Sequence, residues 1–287
     1  MPELPEVEVV KQSLERTIKN KYIIDILVRN PNLRLKITSK FTKILKKKII
    51  LNIKRIAKYI IFELSYDQYL IIHLGMSGTL HLVTSKKSNL NTNLSFYSSA
   101  NLPKKHNHIE INFGNFKIVY NDPRRFGFFK IVNSKKKLNN YFSKKGLDPL
   151  QKRFNFKYLF EKFKNRKKNI KNILLDQNII SGIGNIYASE ILFFCKINPN
   201  KEGRLIKTIE IKKIIKYSKL VLNKAIEKGG SSILNFRSTH GHMGNYQDEF
   251  KVYGKENKKC PNKNCKFKIL KLNISNRSTF YCQNWQN

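Results

Sequence analysis

The chain has 287 residues, with 57 Lys plus Arg against 19 Asp plus Glu and a formal net charge of +38. Its 40% hydrophobic and 11% aromatic content can build packed cores, which excludes a disordered polyelectrolyte, and the length allows two ordinary domains. So large a basic excess implies a polyanionic partner, with nucleic acid the default, although part of it reflects a general richness in Lys, Asn and Ile.

No apolar run approaches the roughly 18 residues that span a membrane. The start is acidic where a signal peptide would be basic, so a soluble, cytoplasmic protein is expected. Four cysteines, three of them in the last 28 residues, argue for reduced thiols or a metal site and against a disulfide framework.

In chain order, the first feature is Met1-Pro2-Glu3-Leu4-Pro5-Glu6-Val7-Glu8. Pro2 is small enough for an initiator methionine to be removed ahead of it. That leaves a secondary amine, and α-amino groups titrate near about 7.7 to 8.0, so a useful fraction is nucleophilic at neutral pH. Amines attack carbonyl-like carbons to give Schiff bases. A proline iminium has no N–H to lose and stays cationic, which suits elimination at the neighbouring carbon, with Glu3 and Glu6 close enough in sequence to move protons. The residues equally fit a plain helix start, with prolines tolerated and acids favoured by the dipole.

Val7, Val10 and Leu14 then have the spacing of an amphipathic helix over Val7 to Thr17. Seven β-branched and aromatic runs follow: Tyr22 to Val28, Ile49 to Ile56, Tyr59 to Leu64, Tyr69 to Leu74, Thr79 to Val83, Ile109 to Phe113 and Phe116 to Tyr120. They predict a β-sandwich or barrel. Thr84 to Lys105 is Ser/Asn-rich and reads as a long surface loop. Helical patterns then dominate, over Phe156 to Phe163, Ile170 to Leu175, Ile186 to Phe194 and Ile209 to Glu227. The predicted fold class is α+β and multidomain. Residues 1–134 form a β-sandwich domain with an N-terminal helix, 135–150 a linker, 151–250 a helical domain, and 251–287 a small cysteine-bearing hairpin.

Between the second and third of those helices, Ser181-Gly182-Ile183-Gly184-Asn185 reads as a turn that exposes backbone N–H groups ahead of a helix N-terminus. Such a turn can hold a phosphate, or it can be a plain connector. Taken with the N-terminal segment, this turn, Arg55-Ile56-Ala57-Lys58-Tyr59, His73-Leu74-Gly75-Met76-Ser77-Gly78 and Asp122-Pro123-Arg124-Arg125-Phe126-Gly127 resemble the formamidopyrimidine-DNA glycosylases, in the family's order and over nearly the whole chain.

The resemblance implies a bifunctional enzyme of base excision repair, acting on damaged double-stranded DNA as a monomer. It would consist of a β-sandwich, a helix-two-turn-helix domain and a zinc-finger hairpin. Pro2 would attack C1′ of the damaged nucleotide and Glu3 would act as the acid in base release. The resulting iminium would labilise the sugar, Lys58 would transfer protons in β-elimination, and Arg277 would bind phosphate and serve δ-elimination. Met76, Arg124 and Phe126 match the residues that fill the gap left by a flipped base, whose unstacking typically costs a few kcal/mol. His73, His106, Arg166, Lys171 and Asn185 match backbone contacts. The segment Ser231 to Phe250 matches a loop that caps the lesion.

The tail departs from the family. Tetrahedral zinc wants four ligands from two close pairs, yet Cys260 and Cys265 have four residues between them instead of two, and Trp285 stands where the fourth cysteine belongs. The resemblance implies one zinc, here on Cys260, Cys265 and Cys282, with water or Glu256 as candidates for the fourth position. The expectation is a hairpin that folds but binds metal weakly, with Trp285 adding cohesion by packing. Cys195, on an apolar helix, reads as a buried structural thiol.

Oxidised purines are the implied substrates. The alternatives are an endonuclease VIII-like enzyme for oxidised pyrimidines, disfavoured by Leu4 and by Arg124-Arg125-Phe126, and a basic DNA-binding protein that has lost catalysis, disfavoured by the intact Pro2, Glu3, Glu6, Lys58, Asn185 and Arg277.

Overall fold

The computed structural model describes residues 2–84, 104–231 and 245–287. Most of the expected surface loop 84–105, and residues 232–244 of the expected capping segment, lie outside these. Two compact units emerge: Met1–Ser143 with Lys228–Asn245, and Lys144–Glu227 with Tyr246–Asn287.

The first unit starts with α1 (Leu4–Ile18), whose Val7, Val10, Leu14 and Ile18 form one buried stripe. Its strands are β1 (Asp25–Val28), β2 (Ile50–Ile56), β3 (Tyr59–Leu64), β4 (Gln68–His73), β5 (Thr79–Thr84), β6 (Asn107–Asn112), β7 (Phe116–Asn121) and β8 (Phe128–Val132), with short helices α2 (Phe41–Leu45) and α3 (Lys135–Phe142). Two four-stranded antiparallel sheets form, in the orders β1-β6-β7-β5 and β2-β3-β4-β8.

One core joins the two sheets and α1, drawing Ile109, Ile111, Ile118 and Tyr120 from the first sheet and Ile60, Phe62, Leu70, Ile72 and Phe129 from the second. The second sheet's other face is also covered. Ile61, Tyr69, Ile71, Phe128 and Val132 pack there with Leu138 and Phe142 of α3. Burial on both faces explains why β3 and β4 read as continuous apolar runs instead of alternating ones.

Three segments differ from the sequence reading, the first being α2, which was not expected. Residues 135–142, expected as part of a linker, form α3: the Ser134 side chain caps it by accepting from the Lys137 N–H, and Leu138 and Phe142, one turn apart, supply its apolar face. β8 was absent from the expected strands because Phe128-Phe129 is buried on both sides and shows no alternation.

The second unit contains α4 (Phe156–Phe163), α5 (Ile170–Leu175), α6 (Asn185–Cys195) and α7 (Thr208–Glu227), then a hairpin of β9 (Leu270–Ile274) and β10 (Arg277–Tyr281). α6 is apolar all round and packs against α5, α7 and β10. Cys195 is buried on it and burial pushes its thiol well above the ordinary range, in line with an inert structural residue. Among the described residues no helix is long and apolar enough to cross a membrane.

His81 on β5 is a buried group with a measurable consequence. Burial lowers its pKa to about 4, and its Nε2 lies 2.7 Å from Thr79 Oγ1. A depressed histidine stabilises the fold above its unfolded pKa of about 6.5, and that contribution is lost as pH falls from there towards 4. The loss is on the order of 3 kcal/mol at full protonation. Urea unfolding followed from pH 7 to pH 4 should show this decline in the native chain and a shallower one in His81→Gln.

Candidate active site and DNA-contacting residues

In the first unit, α1 is built to present its own N-terminus. Glu3 is the N-cap, and a reciprocal capping box forms in which the Glu3 carboxylate accepts from the Glu6 N–H while Glu6 Oε2 accepts from the Glu3 N–H at 2.8 Å. This fixes the residue directly after Pro2. Pro2 itself is partly exposed, whereas Glu3 and Glu6 are buried. The other carboxylate oxygen of Glu6, Oε1, accepts from both the backbone N–H and the hydroxyl of Ser231, each at 2.9 Å. Gly230 must be glycine for this approach, since its φ is +80° and a Cβ would meet Glu6 Cγ at 3.2 Å. Glu6 therefore joins the head of α1 to the chain entering the expected capping segment.

Lys58 lies in the two-residue turn between β2 and β3, where Ile56 pairs with Tyr59 and Ala57 has φ +54°. It is buried. The turn is tied to α1 through Arg55, which ion-pairs with Glu8 at 2.6 Å and donates to the Ala57 carbonyl at 3.0 Å. At the end of β4, His73 stacks on Phe128 and accepts at Nδ1 from the Gly75 N–H, so its proton, when neutral, sits on Nε2. His106, in a short 3₁₀ turn ahead of β6, is held below the usual histidine range by desolvation and then by Lys105.

Met76 and Phe126 are the notable exposed apolar side chains on the two loops that follow β4 and β7, at 44% and 43% exposure. Arg124 is also exposed, with its guanidinium 4.6 Å from the Phe126 ring centroid. A methionine, an arginine and a phenylalanine held out in water fit an aromatic or stacked-base ligand better than a core.

In the second unit, Gln177 braces the turn ahead of α6. Its amide donates to the Leu175 and Ile183 carbonyls and its oxygen accepts from the Gly182 N–H. Gly182 needs its φ of +95°. Asn185 begins α6 and donates from Nδ2 to the Ser278 carbonyl at 2.8 Å. Arg277 opens β10 and is exposed, presented by a two-residue turn whose Ser275 and Asn276 both have positive φ, a type I′ hairpin. Arg166 is exposed after α4, with Nε donating to the Lys162 carbonyl.

Lys171 departs from the expected backbone contact. It is fully buried, and Nζ donates to the Ser278 carbonyl at 3.1 Å and to Thr279 Oγ1 at 2.6 Å. A buried ammonium needs acceptors, and the hairpin supplies them. As placed, Lys171 anchors the strand that carries Arg277.

Sequence reasoning missed Glu190, which lies in the middle of α6 and is fully buried. Its carboxylate accepts from the backbone N–H groups of Lys251, Val252 and Tyr253 at 2.7 to 2.9 Å, while burial pulls its pKa up. An acid inside an otherwise apolar helix was the signal that could have found it.

The thiols of Cys260, Cys265 and Cys282 are buried and lie within 4.8 Å of one another, so the cluster could hold a metal. The fit to a four-ligand site is incomplete. Trp285 packs on the apolar side of the hairpin, 6.3 Å from Phe193 and under Lys196 Nζ at 3.8 Å. Glu256, a candidate fourth ligand, is instead paired with Lys271 at 3.2 Å and is not part of the cluster.

Comparison with known proteins agrees with this geometry. Residues 1–129 match the formamidopyrimidine-DNA glycosylase N-terminal domain and residues 145–237 its H2TH domain. The formamidopyrimidine-DNA glycosylase of Wolbachia pipientis subsp. Culex pipiens is 40% identical over 288 residues, all of both chains, and that of Rickettsia bellii is 37% identical over all of this chain and 99% of its own. Among solved structures, a Lactococcus lactis variant bound to Fapy-dG containing DNA superposes with a TM-score of 0.87 at 34% identity, covering both chains fully. The wild-type Lactococcus lactis enzyme with an oxidised pyrimidine containing DNA gives a TM-score of 0.86 at 34% identity and the same coverage.

Fold and site thus define a DNA-binding glycosylase of DNA repair. The chain belongs to the formamidopyrimidine-DNA glycosylase family.

Glu190→Ala should cost about 2 to 4 kcal/mol, because three backbone N–H groups, the one at Val252 buried and the others partly so, lose their acceptor. Limited proteolysis should then open the chain at residues 251–253 before any other site in the second unit.

Proposed function

We propose that the chain excises oxidised purines, 8-oxoguanine and formamidopyrimidines, and then nicks the strand by β,δ-elimination through a Schiff base on Pro2. The capping box supports this reading, because it locks Glu3, the residue next to Pro2 in the chain, at the head of α1. With Met1 removed, the unprotonated Pro2 amine attacks C1′ and the bond to the damaged base breaks. Glu3 supplies the proton that the reaction needs in base release. Pro2 then loses its N–H proton and the C1′–O4′ bond breaks, with O4′ taking up a proton, so the sugar ring opens to an iminium that has no N–H to lose and draws electrons from C2′. Loss of the C2′ proton, for which Lys58 is the proposed acceptor, expels the 3′ phosphate. A second elimination, with Arg277 on the phosphate, expels the 5′ phosphate.

Met76, Arg124 and Phe126 fill the gap left by the everted nucleotide, and His73, His106, Arg166 and Asn185 contact the backbone. Lys171 acts through the hairpin it holds. A zinc ion on Cys260, Cys265 and Cys282 would cross-link the hairpin without entering the chemistry. Oxidised pyrimidines are a second reading, favoured by the Lactococcus lactis complex with such a lesion.

Borohydride trapping on an 8-oxoguanine duplex tests the chemistry. Processed protein should give a covalent complex, and a form with any residue retained ahead of Pro2 should give none, since its nitrogen is then an amide. Glu3→Gln should slow base release by about a hundredfold or more while still trapping a preformed abasic site. An 8-oxoguanine rate below that on an oxidised pyrimidine would favour the second reading. For the hairpin, metal analysis of purified protein should find less than one zinc per chain, readily removed by a chelator.

A further inference from the structure

The two loops that carry Met76, Arg124 and Phe126 close around one buried acid. Asp122, fully buried just after β7, receives four donors. Oδ1 accepts from Ser77 Oγ at 2.5 Å and from the Arg124 N–H at 3.2 Å, and Oδ2 accepts from Tyr120 Oη at 2.8 Å and the Gly127 N–H at 2.9 Å. Ser77 adjoins Met76 in one loop, while Arg124 and Gly127 bracket Phe126 in the other. The backbone of Asp122 is held too, its carbonyl 2.8 Å from His108 Nε2 and its N–H donating to the His106 carbonyl at 3.0 Å.

The loops also touch directly. A Cβ on Gly75 would fall 2.5 Å from both the Phe126 carbonyl carbon and the Gly127 nitrogen. Neither loop can shift without the other.

We propose that Asp122 is the positioning residue that sets Met76, Arg124 and Phe126 as a single unit for filling the gap in a duplex from which a nucleotide has been everted. The proposal rests on the gap-filling role proposed for these three residues. It needs a carboxylate specifically. An asparagine of the same size has one acceptor oxygen, and its NH₂ would face either the Arg124 or the Gly127 N–H, donor against donor. The two hydroxyls can turn to accept from the amide, but a backbone N–H cannot. Whichever way the amide points, the loop that carries Phe126 loses one of its two backbone bonds to residue 122, at Arg124 or at Gly127, and the Arg124 N–H is left with Ser77 Oγ at 3.3 Å as its remaining acceptor.

The test compares two substrates in Asp122→Asn. One is a duplex with a central 8-oxoguanine, and the other is a single strand with an abasic site, where there is no opposite base and no gap to fill. The ratio of kcat/KM on duplex to kcat/KM on single strand should fall by about tenfold to a hundredfold relative to native protein. Equal losses on both substrates, or an unchanged ratio, would overturn the proposal.

Tyr120→Phe, which removes one donor to Asp122 and leaves the carboxylate in place, is the milder variant should Asp122→Asn fold poorly, and its ratio should fall by about threefold or more. Independently of chemistry, 2-aminopurine placed opposite a tetrahydrofuran abasic analogue should change fluorescence on binding of native protein and much less with either variant. An equal change would count against Asp122. A native protein that changes this fluorescence but never traps would refute the Pro2 chemistry alone.

Discussion

A carboxylate taken out of water must have its oxygens supplied with donors, and this chain meets that demand with its own backbone. Glu6, Asp122 and Glu190 are all buried, and each accepts N–H groups from a segment far away in sequence or from the turn it organises. In a protein of net charge +38 the lysines would serve as partners for any exposed acid. Giving each of these three at least one backbone N–H, with hydroxyls on Glu6 and Asp122, turns charge into geometry, because an N–H has a fixed direction and an ammonium does not. Glu6 sets the head of α1 and holds Ser231, Asp122 sets the two loops after β4 and β7, and Glu190 sets the chain leading to the hairpin.

The hairpin shows the same principle with the signs reversed. Lys171 is buried with its ammonium on the Ser278 carbonyl and Thr279 hydroxyl, and Asn185 donates to that same carbonyl. Arg277 is thus presented on a strand held from two helices by charge-assisted and neutral hydrogen bonds, with apolar packing of Phe193, Val252, Ile269 and Phe280 around the thiols. These contacts explain how a hairpin with three clustered thiols and a tryptophan in place of the fourth can remain ordered. A metal on the three thiols would be one cross-link among several.

Much of the fold was legible. β3, α4 and α5 have the bounds that the apolar pattern marks, and α1, α6 and α7 differ by a few residues at their ends. The elements missed share a physical reason. α2 is five residues long, too short to display a period, and α3 hides its Leu138 and Phe142 among Lys and Asn. β8 is buried on both faces, so alternation never marks it. The proposed site residues Pro2, Glu3, Lys58 and Arg277 each stand in a short local segment, which is why a linear reading can single them out. Lys171 was misread because a lysine in a basic chain gives no local sign of being buried.

By itself, then, the sequence determined the family, the order of sheet before helices, the large basic excess and the residue types on which the proposed chemistry rests, such as the proline that follows Met1. Those properties are written in covalent structure and in short-range periodicity. Only the tertiary structure decided which polar side chains face inward and what they hold: Lys171 as an anchor, Glu256 outside the thiol cluster, and Asp122 and Glu190 as acceptors for distant backbone. Burial and hydrogen-bond direction arise from contacts between residues far apart in the chain, and a linear pattern does not encode them.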